Sequence, residues 1–352
     1  MTDEEAIHAA MSALHSTPGD YALLRRNGRL FMALPAGRND AIHALNLYHP
    51  QRPKAVLAMT GIRLLVIWGI HRIFLPKLRG IGGQVTLDPE FMGCVPGTAG
   101  VMLGSPEHRV RRAILSYQTG VGWEVAKLAF GDEGRAVIDG EAEGISKLPE
   151  GTRGVPEIHG VHHGPDFSML RMPYIKGLPL VPRRTAAALA LLESWATDAP
   201  ARSIREFPEW PAIHATLSKS AAGRFALAMI ENLLLRPVIR HGDFARWNLI
   251  RQNDGSLIAL DWEWGHPAGM PGLDLVHYFL QDARLVQRMK PPQAVRHTCG
   301  LLELPRCRKH LEENGWPGNI LLPIIASLAW KQGAGHQDNE HMLEAAVLEF
   351  IR

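Results

Sequence analysis

The chain has 352 residues, enough for two or three compact units, and its 46% hydrophobic and 21% charged residues are those of an ordinary soluble globular protein. A formal net charge of +3, with no Lys/Arg-rich run, excludes the electrostatic footprint of nucleic-acid binding. Cys94, Cys299 and Cys307 form no C-x-x-C pair, and the start MTDEEAIHAA is acidic where a secretory leader would be basic, so a cytoplasmic, reducing location is expected.

Residues 1–90 are expected to be an N-terminal extension that modulates localisation, oligomerisation or acceptor access rather than chemistry. Tyr21–Leu24 and Leu30–Leu34 flank Asn27-Gly28, a hairpin signal. Ala41 to Tyr48 reads as a helix. Ala55 to Leu75 is the most apolar stretch of the chain, long enough to raise the question of a membrane span. Arg63 near its middle would cost about 2.5–3.5 kcal/mol there, and His71 and Arg72 add to the penalty. A buried or partner-facing helix is the main expectation. The basic edges Arg52, Lys54, Arg72, Lys77 and Arg79 keep peripheral membrane contact through residues 55–75 as the other.

Gly80 to Gly83 reads as a linker into a second region, 91–175. Its alternation from Gly97 to Gln118 predicts two strands joined at Leu103–His108, a turn that taken alone is an ordinary hairpin loop. The strand Trp123–Phe130 carries Lys127 among apolar residues. A half-buried lysine needs a partner unless it snorkels at a sheet edge. The predicted helix Ala136–Leu148 offers Glu141 or Glu143; Glu141 lies on one face with Ile145 and Leu148, and Gly140 and Gly144 weaken the helix by roughly 1 kcal/mol each. Strands are predicted at Val155–Val161 and Phe167–Met172. After Pro173–Gly177 the pattern turns helical, at Thr185–Thr197, Pro211–Leu235 and Asp274–Gln287.

The densest signal is Val238–Gly265. Asn253-Asp254-Gly255 predicts a hairpin with a two-residue type I′ loop, which sets Asn253 opposite Ser256 and Asn248 opposite Asp261. Cross-strand Cβ atoms lie about 4.5–5.5 Å apart, close enough for an amide and a carboxylate oxygen to share Mg²⁺. Five residues before Asn248 stands Asp243, in His241-Gly242-Asp243-Phe244. H-x-D-x-x-x-x-N is the spacing of kinase catalytic loops, where the Asp takes the acceptor proton and the Asn holds metal. Taken singly, Asp243 could be a cap, Asn248 a turn residue and His241 a core histidine; their coincidence favours chemistry. Glu263, on the same strand face as Asp261, is expected on the substrate or salt-bridge side, with an extension of the metal site as the alternative.

HGDF-x-x-x-N followed by a hydrophobic strand and Asp261-Trp262-Glu263 resembles the aminoglycoside phosphotransferase and choline kinase family, small-molecule kinases that share the protein-kinase fold. Gly272-Leu273-Asp274-Leu275 is similar to the Asp-Leu that opens the next helix of that family. The resemblance covers roughly residues 100–280. It implies an α+β, bilobal protein-kinase-like fold: an extra segment 1–90, a β-rich nucleotide-binding N-lobe 91–175 and a helical catalytic C-lobe 176–352. ATP and Mg²⁺ are implied as cofactors, with Asp243 as base, His241 positioning the loop, and Asn248 and Asp261 as metal ligands. Lys127 would grip phosphates with Glu141 behind it, which fits the family's E-x-x-x-L-x-x-L rhythm better than Glu143. Backbone groups near Gly104 and Ser105 would meet the phosphates, although G-x-G-x-x-G is absent. Val125 would line the base, and the backbone near Met172 and Tyr174 would meet its edge.

The implied partner is a small-molecule hydroxyl acceptor. From Gly265 onward nine acidic residues balance nine Lys/Arg, which favours a neutral or modestly charged metabolite over a polycation. A protein kinase is opposed by Gly242, by Asp-Trp-Glu in place of D-F-G and by the missing A-P-E. A silent, membrane-associated scaffold is opposed by the presence of Lys127, Asp243, Asn248 and Asp261 together.

Overall fold

In a computed structural model of the chain, which describes residues 2–13, 19–51, 53–81, 98–104, 110–180, 185–335 and 340–351, the N-terminal segment is built into the sheet that follows it. Two units are present: Met1–Glu143 with Pro156–Ile175, and Gly144–Val155 with Lys176–Arg352. The first is strand-rich and the second mainly helical, the α+β organisation expected for a kinase-like chain.

In the first unit, α1 (Asp3–Ala13) precedes β1 (Gly19–Arg26) and β2 (Arg29–Leu34). Asn27 and Gly28 take φ of 51° and 78°, the two positive angles of a type I′ turn, and form the expected hairpin, with Arg26 paired to Arg29. Then come α2 (Arg38–Leu45), α3 (Pro53–Ile67), α4 (His71–Phe74), β3 (Lys77–Ile81), β4 (Gly100–Leu103), β5 (Arg112–Thr119), β6 (Gly122–Phe130), α5 (Gly131–Ser146), β7 (Gly160–His163) and β8 (Phe167–Pro173). One eight-stranded sheet runs β3-β1-β2-β4-β5-β6-β8-β7.

Alternation gives this sheet two apolar faces. Ala6, Ile7, Ala10 and Met11 of α1 join Val101, Leu115, Ala126 and Leu128 on one. On the other, α2 and α3 lay Ala41, Ala44, Leu45 and Val66 over Ala22, Leu24, Met32 and Leu34, while Ile138 of α5 packs on Ala129, Leu170 and Met172.

The expected division near residue 90 is therefore not a division between units. Met32 pairs with Met102 and Ala33 with Val101, so β4 relies on the N-terminal segment to satisfy its outer ladder. The first unit ends at Ile175 and the second resumes at Lys176. Other elements shift for local reasons. The helix expected over Ala55–Leu75 breaks at Gly69, whose φ is 74°. The strand expected from Val155 starts only at Gly160, because Pro156 has no N–H for the ladder. Asp132 and Glu133 favour an earlier start of α5, at Gly131.

The second unit contains β9 (Leu178–Pro179), α6 (Thr185–Glu193), β10 (Arg202–Ser203), α7 (Trp210–Leu217), α8 (Ala221–Ile230), β11 (Leu234–Leu235), β12 (Val238–Arg240), β13 (Leu249–Arg251), β14 (Leu257–Ala259), β15 (His266–Gly269), α9 (Leu273–Gln281), α10 (Pro291–Leu302), α11 (Pro305–Glu313), α12 (Leu321–Gly333) and α13 (Glu340–Ile351). The single helix expected over Pro211–Leu235 is two, because Ser220 takes extended backbone angles and its Oγ accepts the Gly223 N–H at 3.0 Å, an N-cap. α12 is buried from Leu322 to Lys331, and its apolar residues meet Trp195, Phe244, Trp262 and Val276 in one core. Among the described residues no helix is long and apolar enough to cross a membrane.

Candidate functional site

The loop after β12 is held from below by buried charge. Arg240 places Nε 2.7 Å from Glu209 Oε1 and its guanidinium 4.3 Å above the Trp330 ring. The next two amides, of His241 and Gly242, donate to Asp274 Oδ2 and Oδ1 at 2.7 and 2.8 Å. Asp274 stands in the first turn of α9, whose N-cap Gly272 is left-handed. At Gly242 φ is 85°, and a Cβ there would lie 2.4 Å from that of Trp264, so the position protein kinases fill with Arg can only be glycine here.

His241 is fully buried, its ring 4.6 Å from that of Trp262. Nε2 faces the Leu260 carbonyl at 2.8 Å and so donates, while Nδ1 accepts the Asp243 N–H at 3.2 Å. Burial outweighs the pull of the Asp243 charge and takes its pKa down to about 4. A neutral histidine thus ties the loop to the hairpin.

Asp243 accepts from His277 Nε2 at 2.8 Å through Oδ1 and from Asn248 Nδ2 at 3.0 Å through Oδ2, with Lys331 Nζ 4.0 Å away. Burial alone would raise its pKa, but the His277 hydrogen bond and the charges of His277 and Lys331 hold the carboxyl well below the usual carboxylate range. About a third of the side chain, 35%, still reaches the surface. An ionised, oriented and accessible carboxylate is what a hydroxyl-directed base needs.

The hairpin register differs from expectation by one residue. Leu249 pairs with Ala259, and the Leu260 N–H donates to the Asn248 carbonyl at 2.8 Å, so Asn248 faces Leu260 rather than Asp261. The loop has three residues, Asn253-Asp254-Gly255, closed by Gln252 N–H to Ser256 O at 2.9 Å. Only Gly255 has positive φ, 89°, so the turn is a three-residue loop ending in a left-handed glycine, not type I′. Asp254 favours it by taking the Ser256 N–H on Oδ1 at 2.9 Å.

Asp261 follows with φ of 66°, a left-handed conformation rare for a residue with a Cβ. The turn lets Trp262 sink fully into the core and donate Nε1–H to Ala259 O at 2.8 Å. Asn248 also donates Nδ2 to the Asp243 carbonyl at 3.0 Å, so both bonds to Asp243 use the amide nitrogen and leave Oδ1 outside them. Among the described residues no three His, Cys, Asp or Glu side chains cluster to cage a metal. Mg²⁺ does not need a cage: one or two protein oxygens suffice when phosphate and water supply the rest. Glu263 acts electrostatically on Lys331.

In the strand-rich unit, Lys127 Nζ meets Glu141 Oε1 at 2.5 Å, both largely buried, so of the two glutamates considered Glu141 supplies this contact. Val125 lies on the same face as Lys127 and pairs with Met172. Farther along that face the Trp123 ring stacks on His43 of α2 at 3.8 Å, and Tyr174 meets His43 edge-on at 4.8 Å. α2 comes this close because Gly100 has no side chain: a Cβ there would lie 2.2 Å from that of Ala44. A cleft of about 260 Å³ is lined by Asn39, Asp40, Ile42, His43, Gln118 and Trp123.

Two expected backbone contacts are constrained. The Tyr174 N–H donates to Trp123 O at 3.1 Å, leaving only its carbonyl or ring for a base edge. The Gly104 N–H is spent on Arg112 O at 2.9 Å, so it is not open to a phosphate; Ser105 lies outside the described residues.

No family model and no curated protein matches the chain. Among solved structures it is similar to aminoglycoside phosphotransferase APH(4)-Ia, at 13% identity and TM-score 0.47 over 72% of this chain and 93% of that one. It is also similar to a Plasmodium vivax ethanolamine kinase, at 11% identity and TM-score 0.44 over 71% and 81% of the two chains. A third likeness is to choline kinase LicA from Streptococcus pneumoniae, at 14% identity and TM-score 0.42 over 70% and 92%.

Sequence reasoning missed His277 and Lys331. His277 follows Asp274 by three residues on α9, the spacing that puts two side chains on one helix face. Lys331 is a lone cation in LLPIIASLAWKQG and is 3% exposed, the same signal that singled out Lys127. Burial lowers its pKa against the pull of Asp243 and Asp274.

Proposed function

We propose that the chain is an ATP- and Mg²⁺-dependent phosphotransferase that moves a γ-phosphate to a hydroxyl of a small molecule such as a sugar or amino-alcohol. The observation that carries this reading is the Asp243 carboxylate, ionised, accessible and fixed at both oxygens by His277 and Asn248. Asp243 orients the acceptor hydroxyl and takes its proton, while His277 and Lys331 keep the carboxylate in place. Asn248 Oδ1 and the Asp261 carboxylate hold Mg²⁺. When bound, the ion supplies charge neutralisation on phosphate oxygens. Lys127, braced by Glu141, meets further phosphate charge, and Val125 lines the base. Phosphoryl transfer asks mainly for positioning and charge stabilisation, which these residues provide without a covalent intermediate. The buried Lys331 beside Asp243 and the balanced charge of the C-terminal part support a neutral or modestly charged acceptor. The cytosol, which holds ATP and Mg²⁺, suits the reading.

The test is phosphorus NMR of MgATP with a pool of hydroxylated metabolites, followed by calorimetry on two variants. Asp243→Asn preserves shape, since loss of the Nε2 proton lets His277 accept from the new amide; nucleotide affinity should stay near wild type while transfer falls ~10²–10⁴-fold. Asp261→Asn should weaken Mg²⁺-dependent nucleotide binding itself. No transfer from wild type to any pool member, or loss of nucleotide affinity in Asp243→Asn with retention in Asp261→Asn, would refute the assignment.

A further inference from the structure

The outer surface of α3 and α4 is apolar where a surface helix should be polar. Met59, Ile62 and Val66 of α3 pack inward on Ala22, Leu24, Met32 and Leu34. Leu57, Leu64 and Trp68, at i, i+7 and i+11, form a second stripe that faces out, with Leu57 75% and Trp68 66% exposed. Val56, Ile73 and Phe74 extend the patch. A helix apolar on every side is normally buried, and soluble monomers rarely expose a contiguous apolar patch of more than a few hundred Å².

The charge along the segment that carries the patch has one sign. Between Asp40 and Asp88 there is no Asp or Glu, while Arg52, Lys54, Arg63, Arg72, Lys77 and Arg79 fall within that span. Arg72 reaches outside it to Asp20 at 3.2 Å; Arg63 is held by the neutral Asn46 at 2.6 Å; Lys54 and Lys77 are exposed. A second copy of the chain docking through this face would set cations against cations. The 15 residues of α3 span roughly 22 Å, short of the ~30 Å hydrocarbon core, so the element cannot cross a bilayer. Its length, outward Leu and aromatic side chains and flanking cations match an element lying in the plane of a lipid interface.

We propose that α3 and α4 dock this chain onto an anionic lipid bilayer surface, with Leu57, Leu64, Trp68, Ile73 and Phe74 entering the acyl boundary and Lys54, Arg63 and Lys77 meeting lipid phosphates and carboxylates. The interaction rests on this face alone and is independent of the phosphotransfer reading.

The experiment is flotation of the full chain with phosphatidylcholine vesicles and with vesicles containing 30% phosphatidylserine, in 0.1 and 0.5 M salt. The expected result is binding to the anionic vesicles that drops in high salt, with little binding to the neutral ones. Lys54→Glu with Lys77→Glu should reduce it by about tenfold or more. Leu57→Ser with Trp68→Ser and Phe74→Ser should abolish it while the melting midpoint stays near wild type, because these side chains are exposed. Equal binding to both vesicle types, no binding by wild type, or full binding by the serine variant would overturn the proposal. So would a wild-type dimer in sedimentation velocity that the serine variant converts to a monomer without any vesicle binding.

Discussion

Asp274→Ala removes the carboxylate that accepts both amides of the loop before Asp243, at 2.7 and 2.8 Å. A hydrogen bond to a charged group nets about 1.5–3 kcal/mol when buried, so two of them set a range of about 3–6 kcal/mol. The lower end applies, because burial raises the Asp274 pKa and its removal relieves that desolvation. A loss of about 3 kcal/mol is a large share of the ~5–15 kcal/mol that holds a typical domain, and it corresponds to a fall in melting midpoint of roughly 6–12 °C. Asp274→Asn should fall between, since it keeps one acceptor but turns an NH₂ toward the other amide. Urea unfolding measures the loss, and hydrogen exchange locates it: the His241 and Gly242 amides should lose protection first. A change below about 1 kcal/mol with both amides still protected would mean that Arg240 and Glu209, not Asp274, hold the loop.

Lys127→Ala should sharply weaken MgATP binding in calorimetry, with Glu141→Ala a partial version; a silent Glu141→Ala beside a damaging Glu143→Ala would reassign the lysine's partner. Because His241 stays neutral in the fold with a pKa of about 4 against 6.5 when unfolded, its contribution to stability is complete above pH 6.5 and is lost as pH falls toward 4. That loss amounts to up to about 3 kcal/mol. His241→Gln should flatten the urea midpoint's pH profile in that window; an unchanged profile would place the proton elsewhere, with His49, also lowered to about 4, the next group to replace. A chain starting at Gly82 should give no cooperative melt, since it unpairs β4 from β2 and strips α1 and α2 from both sheet faces. A soluble, cooperatively melting truncation would show that the N-terminal segment is an appendage after all.

The two hairpins show where local chemistry was sufficient. Asn27-Gly28 became the type I′ turn that its residues favour, because β1 and β2 asked nothing else of it. Asp254-Gly255 is equally compatible with a three-residue loop that needs positive φ only at the glycine. There the choice followed tertiary demand, since the observed register lets Asp261 turn left-handed and Trp262 reach the core beside Trp195 and His241. A one-residue slip is invisible to a pattern that names only the turn.

Sequence by itself determined the strand-rich and helical halves, the Lys127–Glu141 pair and the spacing of His241, Asp243 and Asn248, because each depends on periodicity, turn chemistry or the cost of burying a charge. Only tertiary structure decided that β1, β2 and β3 complete the sheet, that α2 sits on Gly100 beside Trp123, and that His277 and Lys331 converge on Asp243. Those contacts join residues distant along the chain or on different helices. What selects them is the burial of apolar faces and the neutralisation of buried charge, and neither is expressed in any short window of sequence.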